Sequence, residues 1–271
     1  MATESSKDWA VRRRGFVSEV IGTAALLFGG LSIVIVMSGE GSPVLALIPN
    51  DLARMAITGF LFGCIGGGIA LSRVGTESGA HINPAVTMGF WLLRKLDARA
   101  AMGYIAAQLI GAALGCLPLL VWGAMGRSIA FGATIPGTGY ATSTVVMGEA
   151  VTTFALITVL CVFLGFRPLR RYTPFTMPLL YAVMVPLEAH LSGTSTNPAR
   201  SFGPALISGR WDGWWIYWAG PMAGMVAAII ACSSLARRIE VAKLYHFEAD
   251  RRRLFHRMAG RDEPVRLSSQ S

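Results

Sequence analysis

In 271 residues the chain carries 53% apolar side chains against 14% charged ones, a balance too apolar for a soluble domain and suited to a membrane. The formal charge of +9 does not mark a nucleic-acid partner, because the basic residues are spread over the connections between long apolar runs. The four cysteines, Cys64, Cys116, Cys161 and Cys232, all fall inside those runs without metal-ligand spacing, so they read as small apolar residues and imply no metal or cofactor.

Residues 1–15 are polar and basic and read as a loose tail or a short surface helix. The apolar runs that follow are Phe16 to Met37, Leu52 to Leu71, Ala101 to Met125, Val145 to Phe166, Met177 to Leu191 and Trp214 to Leu235, most of them near the ~20 residues that a spanning helix needs. The first follows Arg12-Arg13-Arg14 as a signal peptide would, but it is too long and lacks a small-residue cleavage site, so it reads as a retained span. Within it stands Glu19, four residues before Thr23, and the fourth run repeats the pair as Glu149 and Thr153. These are the only acids well inside the runs, and each is either a proton relay or an acceptor for backbone N–H groups that lipid leaves unsatisfied, the second being the better reading. Gly59 with Gly63, Gly111 with Gly115 and Gly220 with Gly224 mark faces where helices approach closely.

Residues 38–51 and 126–144 are rich in Gly, Pro, Ser and Thr and read as external loops, while 167–175 form a basic internal connection. With alternating spans nearly all the Lys and Arg residues, from Lys7 through Arg171 to the tail, lie on one side, and only Arg54, Arg127 and Arg210 lie opposite. The positive-inside rule then makes both termini cytoplasmic. From Arg237 onward the chain is basic and reads as a surface helix on the inner leaflet or a solvated tail.

One short motif occurs twice. Gly79-Ala80-His81-Ile82-Asn83-Pro84-Ala85 follows the second run, and Gly193-Thr194-Ser195-Thr196-Asn197-Pro198-Ala199-Arg200 follows the fifth. In each, Asn sits at a helix N-cap, Pro at the first helical position and an apolar stretch beyond it. A helix of about ten residues covers ~15 Å, half of a ~30 Å hydrocarbon core. Two such halves entering from opposite faces and meeting at their Asn-Pro-Ala starts would cross the bilayer once. The order Glu19, Asn83, Glu149, Asn197 makes the chain an internal duplication with its halves inverted.

The paired Asn-Pro-Ala boxes, the second extended through Ser201-Phe202-Gly203-Pro204, resemble the signature of the aquaporin and aquaglyceroporin (major intrinsic protein) family over nearly the whole chain. The resemblance implies an all-α membrane protein of six transmembrane helices plus two re-entrant half-helices. It divides the chain into a cytoplasmic tail at 1–15, a channel domain at 16–236 with repeats of about 16–125 and 145–236, and a basic cytoplasmic tail at 237–271. It implies a passive, non-enzymatic channel for water and other small neutral solutes, working as a homotetramer in the lipid bilayer. The short termini suit a bacterial inner membrane.

The resemblance also assigns residues. Asn83, Pro84, Ala85, Asn197, Pro198 and Ala199 form the midplane pore, where half-helix dipoles exclude cations. Arg200 belongs to an outer constriction with Thr194, with Val185 on the fifth span and with Phe62 or Gly63 on the second; a purely structural Arg200 bonded to loop carbonyls is the alternative. Glu19, Glu149 and His81 support the loops, with a titrating His81 as the competing role, and His190 reads as solvated. Val185 stands where strict water channels carry His, which favours a facilitator of glycerol, ammonia or neutral metalloid acids. Ser201, Ala205 and the Tyr217-Trp218 pair are similar to the water-channel branch. An ion-coupled transporter is the remote third reading, since inverted repeats and broken helices also suit that class.

Overall fold

A computed structural model describes residues 4–240 and 242–244, which are helices and loops without strands. Helix α1 runs Glu4–Ser38, so residues 4–15 continue the first apolar run instead of forming a loose tail. No Pro or Gly interrupts residues 4 to 14, and Arg12 at their end makes a two-pronged ion pair with Asp97 (Nη1 to Oδ1 3.1 Å, Nη2 to Oδ2 2.8 Å). Helix α2 (Asp51–Leu71) is capped by the Asn50 side chain, which accepts from the Ala53 N–H. Then come α3 (Pro84–Leu92) and α4 (Ala98–Cys116), the latter capped by Asp97. The third apolar run is not one α-helix, because Pro118 lacks the N–H a continuing helix needs and the chain tightens into a 3₁₀ turn at Leu117–Trp122. The second half holds α5 (Thr142–Gly165), α6 (Thr173–Ser192), α7 (Pro198–Ser208), α8 (Ile216–Ala231) and the single turn α9 (Ser233–Ala236).

Four helical stretches are long and apolar enough to cross a membrane: Arg12–Ser38, Asp51–Leu71, Ala98–Ser128 and Thr142–Gly165. The fifth and sixth runs fall short of that measure. Helix α6 has 20 residues but contains Pro178, Pro186, Glu188 and His190, and α8 has only 16 residues. The architecture is that of an all-α, multi-pass membrane protein, with large apolar side chains such as Leu187, Val121 and Ile230 exposed on its outside where lipid is the natural solvent.

Helix α1 packs on α4 and α2, α5 packs on α8 and α6, and α2 crosses α6. The small-residue pairs make these crossings. A Cβ on Gly63 would lie 2.6 Å from the Met177 carbonyl oxygen and from Pro178, so the α2 and α6 backbones touch there. Gly111 and Gly115 meet Val20 and Ala24 of α1, and Gly220 and Gly224 meet α5 at Glu149 and Ala150. The short helices α3 and α7 are wedged inside this frame, α3 against α4 and α8, α7 against α4. One apolar cluster, including Val86, Phe90, Leu156, Leu160 and Met225, supports α3; another, including Leu27, Leu31, Cys116 and Ala199, supports α7.

Candidate functional site

The two motif loops adopt the same backbone. Left-handed φ occurs at Gly79 (90°), Ala80 (55°) and Ile82 (41°) in the first, and at Gly193 (88°), Thr194 (51°) and Thr196 (52°) in the second. For the β-branched Ile82, Thr194 and Thr196 this conformation is unfavourable by ~1–3 kcal/mol each and persists only where surrounding contacts over-determine it. Those contacts are two buried carboxylates. Glu19 accepts the His81 and Ile82 N–H groups at 3.0 and 2.7 Å, and Glu149 accepts those of Ser195 and Thr196 at 2.7 and 2.8 Å. Both acids are 0% exposed. A tyrosine completes each clamp: Tyr104 donates to the Ser78 carbonyl at 2.8 Å and Tyr217 to the Ser192 carbonyl at 3.1 Å.

Beyond these loops each asparagine caps its own helix. Asn83 Oδ1 accepts the Ala85 N–H at 2.8 Å, and Asn197 Oδ1 accepts the Ala199 N–H at 3.0 Å. Their amide nitrogens reach across to the opposite motif: Asn83 Nδ2 donates to the Thr196 carbonyl at 3.0 Å, and Asn197 Nδ2 donates to the Ile82 carbonyl at 2.9 Å. The N-termini of α3 and α7 are therefore joined tip to tip by a reciprocal pair of bonds. Each amide has two N–H groups, so one remains for a solute. Two helix N-termini, each equivalent to about half a positive charge, converge at this point and disfavour cations.

A cavity of about 70 Å³ is lined by residues that include Arg200, both asparagines and Leu244. At roughly 10–15 Å³ of accessible volume per water it holds a short file of water molecules. Phe62 and Tyr181 line it with Arg200, whose Nη1 donates to the Gly132 carbonyl at 2.6 Å. Arg200 thus borders the cavity and ties down the 126–144 loop. Behind the first motif a buried chain of bonds links Glu19 to Gln108 (2.7 Å), Gln108 to Thr87 (2.9 Å) and Thr87 to His81 Nδ1 (3.2 Å). His81 Nε2 lies 3.1 Å from the Ala242 carbonyl, which only accepts, so the ring proton sits on Nε2 and Nδ1 accepts from Thr87.

A family model described as "Major intrinsic protein" matches residues 5–231. The chain belongs to the major intrinsic protein family. As a member it is a multi-pass membrane channel for small solutes and not an enzyme. It is 33% identical over 233 residues to the aquaporin AqpM of Methanothermobacter marburgensis, covering 79% of this chain and 94% of that one. A match of 39% identity over 173 residues links it to the probable aquaporin TIP4-2 of Oryza sativa subsp. japonica. That match spans 61% of this chain and 64% of the relative, just under two thirds of its length. The X-ray structure of the aquaglyceroporin from Plasmodium falciparum shares the fold with a TM-score of 0.66 at 19% identity, covering 83% of this chain and 96% of that one.

In this major intrinsic protein the residues expected at the outer constriction do not all line this cavity. Phe62 and Gly63 both border the cavity, but Gly63 sits in the α2–α6 crossing while the Phe62 ring lies over Gly30 and 6.0 Å from Tyr181. Val185 and Thr194 are not among the residues lining this cavity, and from α6 Met177 and Tyr181 are. Tyr181 stands one helical turn before Val185, so the two share a face of α6 at different levels. Its hydroxyl also pairs with Thr196 Oγ1 at 2.7 Å, fixing the ring against the second motif.

Glu188 was also missed. It is buried in α6 at 4% exposure, and the Ser192 hydroxyl stands between it and Glu149, so Glu19 and Glu149 are not the only acids deep in the helices. The Glu188…Ser192 spacing of one helical turn was the available signal. His190 is exposed, 6.1 Å from the Tyr140 ring. Of the tail at 237–271, only residues 237–240 and 242–244 lie within the described part of the structure, where Ala242 and Leu244 bond to the first motif loop and Ile239 packs in the apolar cluster beneath α3.

Proposed function

We infer that this protein is a water channel that also admits some other small neutral solutes and excludes ions and protons. The observation that carries this reading is the reciprocal bonding of Asn83 and Asn197, which sets two positive helix ends side by side on a narrow cavity bordered by Arg200. A cation arriving there loses hydration and meets positive potential, whereas a water molecule exchanges its hydrogen bonds for those of the amides and the guanidinium. The aromatic pair Phe62 and Tyr181 supports water over glycerol, and the relatives named as aquaporins point the same way.

The reading takes α6 and α8 as the fifth and sixth spans, α3 and α7 as half-helices, and 16–125 and 145–236 as inverted repeats. Matching packing of α1 on α4 and α2 with α5 on α8 and α6 supports the duplication. Its site residues are Asn83, Pro84, Ala85, Asn197, Pro198 and Ala199 at the midplane, Arg200, Phe62 and Tyr181 at the filter, and Glu19, Glu149 and His81 as loop supports. Both termini are assigned to the cytoplasm, the membrane to a bacterial inner membrane and the assembly to a homotetramer.

Stopped-flow light scattering on proteoliposomes tests the function. Faster shrinkage than empty vesicles in a sucrose gradient, with slower entry of glycerol and metalloid acids, is the expected result. Solute-driven reswelling without faster shrinkage rejects the water reading in favour of a facilitator. A flux that collapses when a proton gradient is removed rejects both for a coupled transporter.

A further inference from the structure

The last described stretch of the chain returns to the cavity, where Leu244 joins Arg200 and the two asparagines among the lining residues. After α9 the backbone turns at Arg237–Arg238 and doubles back toward the first motif. Ile239, Ala242 and Lys243 are buried, and Ile239 packs in the apolar cluster that supports α3. Two backbone contacts then dock this segment on the motif loop: the Leu244 N–H donates to the Gly79 carbonyl at 3.1 Å, and the Ala242 carbonyl meets His81 Nε2 at 3.1 Å. The Leu244 side chain completes the wall of the same cavity that Asn83, Asn197 and Arg200 border. On the outer surface the segment is pinned by charge. Glu240 accepts from Arg167 at 3.0 Å and from Arg170 at 3.1 Å, and Arg170 also donates to the Arg238 carbonyl.

We propose that Arg237–Glu240 and Ala242–Leu244 form a strap that closes the inner end of the passage, with Leu244 as the side chain that must withdraw before solute crosses. The inference rests on the channel reading of the cavity and adds a device to it. An apolar side chain standing across the passage is a barrier to water, because it offers no hydrogen bond to replace those given up. Its latch lies outside the bundle: the Glu240 side chain is 47% exposed and its partners belong to the basic connection between the two halves of the chain. The Arg167–Glu240 pair is exposed and contributes little, so that half of the latch is sensitive to salt and to charge placed on the connection, while the largely buried Arg170 holds the other side.

Full-length protein in proteoliposomes provides the test. Leu244→Ala and, separately, Glu240→Arg are expected to raise water permeability about fivefold over the unsubstituted chain, and Arg167→Glu added to Glu240→Arg to return it toward the starting rate. Leu244 is only half-buried and Glu240 lies at the surface, so neither change empties the core; size-exclusion elution checks that each variant is intact. If the unsubstituted chain conducts well above empty vesicles and both single variants match it, the strap is wrong and the channel reading stands. If no version conducts any solute, the channel reading fails and the strap with it.

Discussion

The rings of Phe62 on α2 and Tyr181 on α6 stand 6.0 Å apart with their planes inclined at 41°, both bordering the cavity that Arg200 borders. Neither ring turns freely, since Phe62 rests against Gly30 and the Tyr181 hydroxyl is held by Thr196. A rigid aromatic pair beside a fixed guanidinium sets a size limit that a pair of flexible aliphatic chains would not. Tyr181→Val removes one ring and should raise glycerol entry by about tenfold, the order expected when a few carbon atoms are taken from a pocket wall. Tyr181→Phe keeps the ring and should leave glycerol excluded; equal glycerol entry in both variants, read by vesicle reswelling, would move the limit elsewhere.

Arg200→Val removes the cavity's fixed charge and the bond to the Gly132 carbonyl together. Proton and cation leak, measured with a pH-sensitive dye inside vesicles, should rise while water flow persists. Arg200→Lys retains the charge without the guanidinium fork and should leak less than the Val variant. Leak unchanged in both would show that the helix ends alone exclude cations.

Glu19 and Glu149 answer to a different measurement. Replacing Glu19 by Ala strands the His81 and Ile82 N–H groups in a buried site, at about 1–3 kcal/mol each, and leaves Ile82 without support for its left-handed backbone. Glu19→Ala should lower the unfolding temperature in detergent more than Glu19→Gln, whose amide oxygen still accepts one of the two. The same order is expected at Glu149, where Ser195 and Thr196 are the donors. Equal unfolding temperatures for Ala and Gln variants would contradict the role of acceptor.

The Arg12–Asp97 pair lies at the end of the bundle and gives a pH signature. Partial burial pushes the Asp97 carboxyl up, but the Arg12 hydrogen bonds and charge, with the Ala100 N–H, outweigh it and hold the carboxyl below its ordinary range. A carboxylate with a depressed folded value stabilises the fold above its unfolded value of ~4, and that contribution is lost as pH falls through the lower folded value. Because both side chains are partly exposed, the difference between the chain and Asp97→Asn should be no more than about 1 kcal/mol at neutral pH and should shrink as pH falls below ~4 and on through the lower folded value. Thermal unfolding in detergent across that range measures it; a difference that grows on acidification would reverse the sign.

Much of this protein is written locally. The Asn-Pro starts of α3 and α7, the apolar runs, the glycine pairs at the crossings and the two deep carboxylates each follow from properties of neighbouring residues: a side chain that caps, a ring without an N–H, a surface that avoids water. Resemblance to a family extended that to the members of a constriction by counting along the chain. Counting points to Val185 on α6, whereas the α6 side chains on the cavity wall include Tyr181, one turn earlier on a helix that α2 approaches closely at Gly63. No count along the chain reports a crossing between two helices so far apart in sequence.

What the amino-acid order decided by itself was therefore the solvent, the family and the two opposed helix starts, because hydropathy, capping and proline act within a few residues of where they stand. Tertiary structure alone decided that Asn83 and Asn197 bond to each other's loops, that Tyr181 borders the cavity, and that Leu244, distant in sequence from both motifs, lines the same cavity. Those are contacts between residues distant in sequence, and they exist only where the packing of whole helices brings their surfaces together.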